Sequence, residues 1–416
     1  MHSAGTANRL NISNVGPRFG STKLTTSVIR GALTLAVLSA LVLMAAHPAE
    51  ASSETVLYNF LGGSDGAAPQ SRLLADGAGN FYGTTYIGGA FNVGTVFELS
   101  PNGVGGWNEA VLYSFTGGAD GGNPYCYLIF DGAGNLYGTA SGGGANSFGV
   151  VFELSPAGAS WTETVLYSFG GYSGDGTNPR NGLIMDSNDN LFGTTYFGGN
   201  LGDGTVFELS PSGGGWTEQT IYSGNTYAGV TMDAAGNIFG AEALNVFELT
   251  PNGSGGWNST IIHNFAGGKK DGTFAYATPV VDKAGNIYGT TLIGGTKNAG
   301  VVYRLSPGKK GYKQKLLYSF KGGKDGANPY ADIMFDAAGN IYSTTGAGSK
   351  SGAGTVFELV APVGTGSYKE KVLWSFTGLD GGAPLGSVIL DSAGNLYGTT
   401  SSGGSSSVGV VFEVKP

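Results

Sequence analysis

From about residue 54 to the C-terminus, apolar and polar residues alternate in short runs punctuated by glycine, and the whole arrangement recurs seven times. In the second copy, Glu109–Phe115 (EAVLYSF), Tyr125–Asp131 (YCYLIFD), Asn135–Ala140 (NLYGTA) and Gly149–Ser155 (GVVFELS) are rich in β-branched and aromatic residues. Gly, Pro and Asn bound each run, which is the signature of strands. No stretch of the repeats sustains a 3.6-residue period, so an all-β domain is expected. The repeat length is set by an Asp followed four residues later by Asn, mostly as Asp-x-x-Gly-Asn, whose Asp falls at Asp76, Asp131, Asp186, Asp233, Asp282, Asp336 and Asp391. The intervals of 55, 55, 47, 49, 54 and 55 residues exceed those of helical solenoids and suit propeller blades.

The turns complete the pattern. In Asp-x-x-Gly-Asn the Asp side chain accepts backbone N–H bonds at a turn entrance while Gly and Asn tolerate positive φ, giving a tight hairpin. The glycine-rich stretch after Asn-Leu-Tyr-Gly-Thr-Thr makes a longer hairpin, and Gly-Gly-x-Asp-Gly-x-x-Pro links one unit to the next. Four strands per unit without room for crossover helices predict a seven-bladed β-propeller, with a linear β-solenoid as the competing reading. Blades are expected to start at Gln70, Tyr125, Arg180, Tyr227, Ala275, Tyr330 and Leu385. The last then lacks an outer strand, which Thr55–Phe60 (TVLYNF) would supply against Gly409–Val414 (GVVFEV), closing the ring and hiding both edges.

Residues 1–51 stand outside the repeats. Arg9, Arg18, Lys23 and Arg30 precede a 16-residue uncharged run, Gly31–Ala46, followed by Ala49-Glu50-Ala51. This reads as a secretory signal cleaved after Ala51, the alternative being a retained anchor. The expected mature chain is one domain, 52–416, and N-terminal sequencing of exported protein should begin at Ser52. Without the leader, 17 basic and 28 acidic residues leave a formal charge of −11, against −8 for the whole chain. That balance argues against nucleic-acid binding. Cys126 is the sole cysteine, so no intrachain disulfide forms. After leader removal, a secreted or periplasmic monomer free of the membrane is expected.

The phrase LYSFxGGxDGxxPxxxLxxDxxGNLYGTTxxGGxxxxGTVFELSP resembles the bacterial GloVer (Gloeo/Verruco) tandem-repeat family over about residues 54–416. The resemblance implies export and a propeller-like repeat domain, and no particular activity. Members often carry a C-terminal sorting segment; the sequence stops at Pro416, so none is expected here.

Chemistry is sought where repetition breaks or builds a ring. The residues opening the inner strands, Gln70, Tyr125, Arg180, Tyr227, Tyr276, Tyr330 and Leu385, place four tyrosines and an arginine at the channel mouth, with the non-periodic Asp332 nearby. Such a set suits sugars. Asp65, Asp120, Asp175, Asp271, Asp325 and Asp380 of the connectors are either turn residues or an acidic rim that attracts Ca²⁺. The hairpin phrase is similar to calcium-dependent lactonase propellers, although those gather unlike ligands and these acids are symmetric. Copy four has a short connector (Ser223–Tyr227) and a short loop (Ala241–Asn245) on the same face, predicting a notch in the rim. His263 is the only histidine after the leader, which disfavours Ser-His-Asp and His-rich zinc chemistry. The leading expectation is a binding module for extracellular carbohydrate. Alternatives are an enzyme acting on a polysaccharide or lactone through mouth carboxylates, and a purely structural surface protein.

Overall fold

The computed structural model describes residues 52–171 and 174–416; the expected leader lies outside the described residues. Seven four-stranded antiparallel sheets follow one another as the blades of a β-propeller. Blade two, for example, runs Ile129–Phe130, Leu136–Ala140, Val150–Ala157 and Ser160–Ser168 from inner to outer strand. The last blade is completed by Ser53–Asn59, which pairs antiparallel with Val410–Lys415 in the register Thr55↔Glu413 and Asn59↔Val410. The closure expected from the strand phase of the two ends is therefore present. Among the described residues, no helix is long and apolar enough to cross a membrane.

The inner strand departs from expectation. Tyr125–Asp131 was predicted as one strand, yet only Ile129–Phe130 pair with the neighbouring strand. The cause lies in the connector, where Asn123 adopts φ 55° before Pro124, which has no N–H to donate to a ladder. Above the break, Gly122 bridges Gly142. Below it, Thr84 of the preceding blade donates to the Cys126 carbonyl at 2.8 Å. The same threonine contact recurs from Thr139 to Asn181, Thr194 to Ala228, Thr290 to Ala331, Thr344 to Gly386 and, across the closing seam, Thr399 to Ser71. Backbone groups that leave the sheet are thus satisfied by the next blade, at a net gain of about 1 kcal/mol per bond.

Two further devices join the blades. The residue before the connector proline is left-handed and donates its N–H to the preceding blade, as Asn123 does to Val93 and Asn178 to Phe148. Their side-chain amides add bonds to Tyr86 and Ser141 carbonyls. Apolar contact supplies the rest: Phe60, Phe115, Phe169, Phe265, Phe320 and Phe376, each ending an outer strand, meet an aromatic ring of the next blade at 5.0–5.2 Å. Every outer strand also carries a bulge one residue before its aromatic or histidine position, as between Val96 and Phe97 opposite Val111 and Tyr113.

The Asp-x-x-Gly-Asn hairpins form as expected. Asp76 accepts the N–H groups of Ala78 and Asn80 on one oxygen and the Asn80 amide and Tyr82 hydroxyl on the other. Gly79 takes φ 88°, where a side chain would be strained. Although partial burial works the other way, these bonds hold the Asp76 carboxyl below its ordinary pKa.

Candidate functional site: the channel mouth

Position along the inner strand decides what faces the axis. The opening residues Tyr125, Arg180, Tyr227, Tyr276 and Tyr330 stand at the mouth, and residues two further on, Arg72, Tyr127, Thr278, Asp332 and Ser387, form a second layer, because side chains alternate along an extended chain. The structure brings the expected mouth residues together. Tyr227 lies 5.0 Å from Tyr276, and Tyr276 lies 5.5 Å from Tyr330. Tyr330 and Tyr125, from opposite sides of the ring, line the same cavity. Burial, more than any neighbour, raises the pKa of both phenols, so both stay protonated at neutral pH.

Tyr196 extends this arc at 4.6 Å from Tyr227. It was not among the expected site residues. Its signal was present but weak: the position after Gly-Thr-Thr carries Tyr86 and Tyr196 in two copies and Ser141, Ala243, Leu292, Gly346 or Ser401 in the others. The Arg180 guanidinium rests over the Tyr196 ring at 4.3 Å while its Nε donates to Asn178 Oδ1 at 2.6 Å.

One layer down the channel narrows. Arg72 stacks on Tyr127 at 4.0 Å, and the Tyr127 ring occupies the space that a side chain at Gly182 would need. Asp332 is here rather than on the rim, accepting the Thr278 N–H at 2.7 Å. It is partly buried against a small cavity, and this desolvation raises its pKa against the opposing pull of Arg72 and of the Thr278 bond. Ser343, which replaces the glycine found at this position in the other blades, donates to the Asp332 carbonyl at 2.6 Å and fixes that strand segment. The cavity enclosed by Arg72, Tyr125, Tyr127, Tyr330 and Asp332 has a volume of about 50 Å³.

The connector aspartates do not line this mouth. Asp65 accepts the Tyr58 hydroxyl and the Leu61 N–H, and Asp120 accepts the Tyr113 hydroxyl and the Thr116 N–H. Asp175 and Asp325 bind Tyr167 and Tyr318 in the same way, Asp380 binds Trp374, and Asp271 accepts the Ala266 N–H. Each therefore clamps an outer strand to its connector. Among the described residues, no three His, Cys, Asp or Glu side chains come together to hold a metal ion.

A second acid crowds five of these clamps. Burial and then repulsion from the connector aspartate push Glu109 (beside Asp65), Glu163 (Asp120), Glu218 (Asp175), Glu370 (Asp325) and Glu54 (Asp380) up to about 7. In blade five a glutamine stands instead, and Gln314 donates its amide to Asp271 at 2.5 Å.

Copy four replaces its missing clamp. With no aspartate in the connector, the Tyr222 hydroxyl donates at 2.8 Å to Glu242, which stands where five of the other copies have the second threonine of Gly-Thr-Thr. Thr226 meanwhile donates to the Thr195 and Thr205 carbonyls. The short connector is thus tied back to blade three by Thr226, and the short loop to Tyr222 by Glu242.

In fold, the propeller is similar to the extracellular domain of a putative hybrid two-component system from B. thetaiotaomicron, with a TM-score of 0.53 and 13% identity over 87% of this chain. The match spans 41% of that protein's length, less than half. It is also similar to a putative 6-phosphogluconolactonase from Bacteroides uniformis, with a TM-score of 0.52 and 12% identity over 79% of this chain and 89% of that one. At such identities the likeness is one of fold. Comparison with curated proteins gave no match. The Gloeobacter/Verrucomicrobia repeat model matches residues 42–169, 104–245 and 245–416, overlapping windows that run through all seven blades. The recurring hairpins, aspartate clamps and threonine seams are accordingly this chain's version of a shared repeat, and the chain belongs to the Gloeobacter/Verrucomicrobia repeat family.

Proposed function

We propose that this propeller is an exported binding module that takes extracellular carbohydrate across its channel mouth. The observation that carries the reading is the arc Tyr196–Tyr227–Tyr276–Tyr330, with ring centroids 4.6, 5.0 and 5.5 Å apart. Its flat faces suit the C–H faces of sugar rings, and its hydroxyls suit their polar edges. The cavity beneath, about 50 Å³, has room for a water or two, so a saccharide would lie over the rim without entering the channel. The basic and apolar leader supports export, and the acidic mature chain favours a partner other than nucleic acid.

One observation favours an enzymatic alternative: Asp332 is a non-repeating carboxyl with a raised pKa, the property a general acid needs. A glycosidase would require a second carboxylate across the sugar, and the nearby acid, Asp203, stands beside Tyr227 at the rim while Asp332 lies a layer below.

A glycan array run with and without chelator would identify the ligand and any calcium requirement. Tyr227→Ala and Tyr330→Ala should then each weaken binding by about 1–3 kcal/mol in calorimetry, with melting unchanged. Normal binding by both variants, together with loss of binding on substitution at the opposite hairpin face, would place the site elsewhere.

A further inference from the structure

After the leader this acidic chain contains three arginines, Arg72, Arg180 and Arg304, and two of them stand on the channel axis. Their circumstances differ. Arg72 lies one layer down, stacked on Tyr127 and within the field of Asp332. Arg180 stands at the mouth with only its Nε engaged, by Asn178, and no carboxylate within ion-pairing distance among the described residues. Stacking on Tyr196 holds its plane in place. The phenols of Tyr125 and Tyr330 lie within its field, and burial keeps them protonated, so they remain hydrogen-bond donors. The nearby acid, Asp203, makes itself felt at Tyr227.

An oriented guanidinium whose terminal N–H groups have no partner among the described residues, flanked by phenol donors, is complementary to a planar anion that accepts two parallel hydrogen bonds. It also lies within an arc of aromatic faces. We infer that the ligand of the mouth is an acidic polysaccharide, a uronate polymer whose carboxylate is held by Arg180 while neighbouring sugar rings lie on Tyr227, Tyr276 and Tyr330. This inference rests on the carbohydrate reading and narrows it. The overall charge of −11 opposes the approach of any polyanion, so the attraction must be local to Arg180, and salt should weaken it.

The test uses the mature protein with polygalacturonate and alginate as probes, compared with carboxyl-reduced polygalacturonate and amylose, by calorimetry at 50 and 500 mM NaCl. The expected result is at least tenfold tighter binding to one polyuronate than to the neutral polymers. Raising salt should erase that preference, Arg180→Gln should abolish it, and Arg180→Lys should retain part of it, with melting temperatures confirming folded variants. Equal binding to charged and neutral polymers, or a preference that survives in Arg180→Gln, overturns the uronate inference and leaves the carbohydrate reading intact. If the probes and a glycan array both give no saccharide binding, the two fail together.

Discussion

Raising the pH from 5 to 7.5 is expected to destabilise the propeller. Glu54, Glu109, Glu163, Glu218 and Glu370 titrate near 4.5 when unfolded and near 7 in the seams, because folding buries them beside an aspartate. Between those values the folded state binds more protons than the unfolded one. Their contribution is therefore fully present below about pH 4.5 and is lost as pH rises through about 7. Two groups of residues act in the opposite sense. The hairpin carboxyls Asp76, Asp131, Asp282, Asp336 and Asp391 have lowered pKa values, so their contribution holds above 3.8 and fades in stronger acid. His263, lowered from 6.5 by burial, adds a small gain as pH rises toward that value and no more beyond it. The optimum should then fall near pH 5. The glutamates are partly exposed, so solvent screening limits the loss by pH 7.5 to on the order of a few kcal/mol. Nature supplies the control in blade five, where the Gln314 amide donates to Asp271 as a protonated glutamate would. Replacing all five glutamates with glutamine should flatten the urea-denaturation midpoint between pH 5 and 7.5; an unchanged slope in that variant would assign the effect to other groups.

The second large effect belongs to the closing seam. Phe60, 0% exposed, packs among Leu73, Phe81, Phe97, Leu99, Tyr397 and Val411, which come from the first and last blades. Phe60→Ala leaves a void where the ring is fastened and should cost about 3–5 kcal/mol. Leu61, one residue on and 67% exposed, is the matched control, and Leu61→Ala should change stability by less than about 0.5 kcal/mol. The loss should exceed simple cavity formation in one respect. An unpinned Ser53–Asn59 exposes the edge of Val410–Lys415, so concentration-dependent association in light scattering should accompany the lower denaturation midpoint. If Phe60→Ala melts like the parent, the ring is held by its hydrogen bonds, and apolar packing at this seam is secondary.

Much of this architecture was legible in the sequence because strand chemistry is local. The alternation in EAVLYSF and GVVFELS, the Asp-x-x-Gly-Asn turn and the mismatched phase of the two ends depend on residues a few positions apart. What the sequence concealed were bonds between distant residues. Nothing in the phrase Gly-Thr-Thr announces that Thr84 serves Cys126 in the next blade, so the alternation in Tyr125–Asp131 gave no sign that this carbonyl leaves the ladder. For the same reason the connector aspartates were placed at the mouth: the loops lead toward the axis, but the carboxylates turn back to outer-strand tyrosines such as Tyr58. The mouth set was visible as an irregularity on a regular background. Arg72 was overlooked because it lies two residues beyond the opening position that was read.

Glu242 has an implication for how such repeats are gained and exchanged. Its carboxylate serves Tyr222 from a loop that lies after the connector it compensates for, so the two changes are useful only as a pair. Restoring an aspartate to the connector while keeping Glu242 would set two acids on one phenol, and losing Glu242 alone would strand the hydroxyl. A segment cut at the repeat boundary divides this pair or keeps it depending on where the cut falls. Recombination that shuffles blades must therefore respect the seam between neighbours, which makes the junction, more than the repeated phrase, the heritable module of this ring.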